Sequence, residues 1–113
     1  MKANELRIGN LVTFNGKQII VSWEDVQFIM TSDFEKEYHK PIPLTEEWLL
    51  KFGFEVDENL WFTINLIGYS IERDDDISWD FLKSEDFIVN IKYVHQLQNL
   101  YFALVGEELK IKE

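Results

Sequence analysis

The densest set of groups able to hold a cation or move a proton lies between Glu72 and Asp86, a stretch that carries Asp74, Asp75, Asp76, Asp80 and Glu85. Asp74, Asp76, Ser78, Asp80 and Glu85 stand at positions 1, 3, 5, 7 and 12 of a calcium-binding loop. Position 6 of such a loop makes a sharp turn that needs glycine, and here it is Trp79. The run therefore reads as a hairpin turn with a solvated acidic tip. His39 and His95 are the two histidines, and neither has a second histidine or a cysteine at metal-ligand spacing. His95 has the chemistry of a general base, but no serine stands at a nucleophile motif. Carboxylate pairs such as Glu46-Glu47 suit glycoside hydrolysis, yet a chain with 21 acidic residues yields pairs by composition alone. The five glycines lie singly, so no phosphate-cradling loop is present. These residues imply no metal, no cofactor and no enzymatic activity.

A contact is better supported than a reaction. In Tyr93 to Leu109, YVHQLQNLYFALVGEEL, a helical period puts Val94, Leu97, Leu100, Tyr101, Leu104 and Val105 in one arc, with Gly106 as the helix stop. Phe102 falls outside that arc, among His95, Gln98 and Asn99, at the spacing that makes a patch on one helix face. His95, Gln98, Asn99 and Phe102 are accordingly the expected partner-binding residues, exposed or buried only against a partner. A layer of the same molecule folding over that face would instead make Phe102 ordinary core. Four tryptophans, Trp23, Trp48, Trp61 and Trp79, supply core volume to a small domain, and Trp79, between acidic neighbours, is the one expected at the surface.

Charge narrows the partner. Eleven basic against 21 acidic residues give a net charge of -10. The imbalance is local: Met1 to Val56 carries 6 basic and 9 acidic residues, Asp57 to Glu113 carries 5 and 12. Phosphate-backbone binding requires clustered Lys and Arg, so direct nucleic-acid binding is disfavoured. The same field suits a basic partner, and Asp74, Asp75, Asp76 and Asp80 would form the acidic surface of a nucleic-acid-mimicking decoy. A chain of 113 residues without cysteine, signal peptide or long apolar run is expected to form a single cytoplasmic domain over 1–113, away from any membrane.

The elements that position these residues follow from pattern. Asn15-Gly16 separates two β-prone runs by the two residues of a type I′ hairpin, pairing Phe14 with Lys17, Thr13 with Gln18, Val12 with Ile19 and Leu11 with Ile20. Val26 to Thr31 is expected to add a third strand after a polar Glu24-Asp25 connection, giving an N-terminal β-meander that resembles the opening of small SH3-like barrels. Ser32 to Lys40 is read as a connector or edge strand. Thr45 caps a short helix with Glu46 and Glu47 in its first turn and Gly53 at its end. Leu60 to Leu66, Tyr69 to Arg73, Ile77 to Leu82 and Phe87 to Lys92 then form a second antiparallel group of strands, before the C-terminal helix packs on a sheet. The fold class is α+β.

NELRIGNLVTFNGK at the start, KPIPLTEEWLLKFGFE in the middle and YVHQLQNLYFALVGEELKIK at the end together resemble a family of short uncharacterised proteins of Bacteroidetes genomes, often found in prophage or mobile-element regions. The resemblance implies a phage or mobile-element accessory protein and brings no catalytic or binding residues with it. The expected function is a non-enzymatic protein-protein interaction or regulatory module, with self-association or an unknown protein as partner; the acidic decoy of a basic DNA- or RNA-binding protein is the alternative.

Overall fold

Positive φ at both Asn15 (51°) and Gly16 (81°) makes the first turn type I′, whose twist matches that of the strands it joins. Strands β1 (Leu11–Phe14) and β2 (Lys17–Ile20) pair in the expected register, Leu11 with Ile20 through Phe14 with Lys17. The computed structural model describes residues 6–31, 39–58, 61–63, 69–75, 77–84 and 86–111. They form two compact units, one from Met1–Ile42 and Tyr93–Glu108, the other from Pro43–Lys92 and Leu109–Glu113.

In the first unit the segment expected to be a third strand is helical: α1 spans Trp23–Thr31. Its start is fixed by reciprocal bonds, with the Ser22 N–H donating to Asp25 Oδ2 at 2.9 Å and the Asp25 N–H donating to Ser22 Oγ at 3.4 Å. Val26 and Ile29, one turn apart, then pack against Leu6, Val12 and Val21. A capped first turn and a tertiary partner for one face outweigh the β propensity of Val26, Phe28 and Ile29. The third strand is β3 (His39–Pro41), the end of the segment expected to be a connector or edge strand. It pairs antiparallel with β1, giving the order β2-β1-β3, so β1 is central and the third strand does not continue a meander. Pro41, which has no N–H to give a ladder, sits on an edge strand. Helix α3 (Val94–Val105) closes the unit: the Tyr93 N–H donates to Gln96 Oε1, and Gly106, at φ 81°, donates its N–H to the Phe102 carbonyl.

In the second unit α2 (Glu46–Lys51) begins at Thr45, whose Oγ1 accepts the Trp48 N–H, and ends before Gly53 at φ 91°. An antiparallel sheet follows in chain order: β4 (Glu55–Val56), β5 (Phe62–Thr63), β6 (Tyr69–Arg73), β7 (Trp79–Lys83) and β8 (Asp86–Ile91). Leu49, Phe52, Phe62, Ile71, Trp79 and Phe81 are buried. Trp79 is thus core and not surface. Strand alternation turns it inward with Phe81 while Asp80 between them takes the other face, and its indole N–H donates to the Leu44 carbonyl at 2.9 Å. The fold is α+β, and no helix among the described residues is long and apolar enough to cross a membrane.

Candidate functional site

The face of α3 that carries His95, Gln98, Asn99 and Phe102 is occupied by the N-terminal segment of its own unit. Gln98 is 2% exposed, and its Oε1 accepts the Leu11 N–H at 2.7 Å. Asn99 Oδ1 accepts from Arg7 Nε at 2.9 Å and from Asn10 Nδ2 at 2.8 Å. The Arg7 guanidinium also bonds the Glu108 carboxylate and the Gln98 carbonyl, and lies 4.3 Å from the centre of the Phe102 ring. His95 is buried and stacks on Tyr93 at 5.8 Å between centroids. The expected exposed patch is therefore corrected: Gln98 is there to partner backbone groups of the loop entering β1, and Asn99 to bind the side chains of Arg7 and Asn10 from that loop. Phe102 alone keeps substantial exposure, at 38%.

The acidic run divides. Asp76 lies outside the described residues. Asp75 builds its own turn, its Oδ1 accepting from the N–H groups of Ile77 (2.8 Å) and Ser78 (2.9 Å) and from the Ser78 hydroxyl. The Ile77 bond foremost, with those from Ser78, holds the Asp75 carboxyl below its usual range. Asp74 and Asp80 are brought together by Asn90, whose amide donates to Asp80 Oδ1 at 3.0 Å and reaches Asp74 Oδ2 at 3.5 Å. Among the described residues no group of three or more His, Cys, Asp or Glu has the arrangement of a metal site.

A third polar constellation went unread in the sequence. His39 Nε2 lies 3.0 Å from Asp25 Oδ1, while the Ser22 hydroxyl donates to Asp25 Oδ2 at 2.8 Å. Burial raises the Asp25 pKa, but bonds with His39 and Ser22 outweigh it and leave the carboxyl below its usual value. Serine and imidazole meet different oxygens of one carboxylate, so the imidazole is not in line to take the hydroxyl proton as a nucleophile's base would. His39 is also buried, its ring in a three-way cluster with Phe14 and Phe28. The set ties the start of α1 to β3.

The feature left without an internal role is β8. Phe87, Ile88 and Val89 are 61%, 45% and 36% exposed, and among the described residues no strand lies beyond β8 in the sheet. A register shift opposite Phe81 and Leu82 leaves Ile88 as the extra residue of a bulge. Cross-strand partners share a face, so one side of the sheet carries two rows: Ser70, Leu82 and Phe87, then Glu72, Asp80 and Asn90. The signal in the sequence was three consecutive apolar residues, Phe87-Ile88-Val89, at the last strand of the group, where alternation should have put polar residues on a solvated edge. No family model, curated protein or solved structure matches this chain.

Proposed function

We propose that this protein is a non-enzymatic protein-protein interaction module that binds through the apolar edge strand β8. The observation that carries the reading is the exposure of Phe87, Ile88 and Val89 side by side on the outermost strand. An edge strand offers unpaired N–H and C=O groups as a template for another chain, and proteins ordinarily blunt such edges with charge. Here the apolar side chains add contact area to that template. The resemblance to prophage-associated Bacteroidetes proteins supports an accessory or regulatory role. The face of α3 contributes through Phe102 at most, since Gln98 and His95 are spent inside the unit.

Selection from a displayed library of random peptides tests the reading. The wild-type chain is expected to enrich binders that compete with one another, and the double variant Phe87→Ser, Ile88→Ser to lose them while melting at an unchanged temperature. Binders that tolerate the double variant would place recognition elsewhere.

One observation supports a second reading, the acidic decoy. Glu72 and Asp80 are directly opposed across β6 and β7, an arrangement of like charges that costs stability, and Asp74 joins them through Asn90. A decoy complex should weaken steeply as salt rises, whereas an apolar-anchored one should hold.

A further inference from the structure

Taking β8 as the binding edge, we infer that its occupant is an extended basic segment of another protein, added as a sixth strand, with an apolar and a basic side chain two residues apart. The open stretch is short. Beyond β8 the Lys92 carbonyl already accepts the Leu44 N–H, so pairing is available along 86–90. Within it the shared face presents two unlike places. Phe87 ends the row Ser70, Leu82, Phe87, and is the most exposed apolar side chain of the strand. Asn90 ends the row Glu72, Asp80, Asn90, and its amide is already directed back onto Asp80 and Asp74. A new strand lies about 4.8 Å from β8, which puts a side chain opposite Asn90 about two strand spacings from Asp80. An arginine or lysine spans that gap and an aspartate cannot. Because the bulge at Ile88 takes up one residue of β8, the partner's side chains opposite Phe87 and Asn90 are two apart, on one face of a regular strand.

A second copy of this chain fits less well. Antiparallel pairing about a dyad at the middle of 86–90 would set each Phe87 opposite the other copy's Val89, which lies on the other face of the sheet with Phe81. It would also bring together two chains of net charge -10.

The probe is a fluorescein-tagged, end-blocked peptide, Thr-Val-Thr-Arg repeated twice, compared with the same peptide carrying Glu for Arg. The inference expects saturable polarisation with the arginine peptide and at least about tenfold weaker binding of the glutamate peptide. It expects a similar loss in Asp80→Asn and in Phe87→Ser, and peptide-dependent protection of the β8 amides from hydrogen exchange. Melting curves identify any variant that fails to fold, and Phe87→Ser, on an exposed side chain, stands in for it. Equal binding of both peptides, lost in Phe87→Ser, overturns the basic occupant and leaves β8 as the binding edge. Dimerisation in light scattering that Phe87→Ser abolishes does the same in favour of a second copy. No binding of either peptide by a monomer overturns both the inference and the reading on which it rests.

Discussion

Gln98 is the residue on which one side of α3 turns. Its amide oxygen is the acceptor for a buried backbone N–H, that of Leu11, so removing it leaves a donor without a partner. Gln98→Leu is therefore expected to lower unfolding free energy by about 1–3 kcal/mol, read from the urea midpoint, although it makes the helix more apolar. Phe102→Ser removes a ring covered on one side by Arg7, and should cost less, about 1 kcal/mol. Equal losses would mean that Phe102 is core. The same residues show where sequence reading stops. Helical spacing put His95, Gln98, Asn99 and Phe102 on one face, but spacing cannot say which backbone will dock there. Asp25 gives a pH test. Its carboxyl sits below the ordinary 3.8, so it binds fewer protons folded than unfolded. Its contribution is complete above that value and is lost as pH falls through the lower folded value. Thermal melts between about pH 5 and pH 2 should show a decline that flattens in Asp25→Asn; an unchanged slope would remove Asp25 from the account.

Among the elements, those with a local chemical stop were legible. Asn15-Gly16, Thr45, Gly53 and Gly106 each fix a backbone geometry that few residues supply, and the hairpin register, α2 and the end of α3 stand where they imply. A Cβ at Gly16 meets nothing within 4 Å, so the cost of Gly16→Val is that of positive φ alone, about 1–2 kcal/mol, measurable by chemical denaturation. No change would deny the turn its type. The sequence does not point to helix α1 because its Ser22-x-x-Asp25 signature is short and four of its five apolar residues, Trp23, Val26, Phe28 and Ile29, are β-branched or aromatic. Trp79 was misplaced because charged neighbours in sequence were read as neighbours in space, which strand alternation forbids. At the turn after β6 the Asp75 carboxylate is engaged by its own loop. Calorimetric titration with calcium is expected to show no saturable heat at micromolar concentration, and a tight isotherm would make the acidic run a site after all.

For the whole molecule, a net charge of -10 is a standing self-repulsion that screening relieves. Adding sodium chloride at neutral pH should raise the melting temperature; a fall would point to ion pairs outweighing repulsion. The first unit is drawn from both ends of the chain, and its polar joints are correspondingly long-range: Arg7 to Glu108, and Leu11 to Gln98 across 87 positions. During synthesis from the N-terminus at about 5–20 residues per second, the backbone of Leu11 waits roughly 4–17 s for its partner to be made. The hairpin that forms earliest thus belongs to the unit that is completed late, and the growing chain carries a three-stranded sheet without its helix past the ribosome exit until α3 emerges.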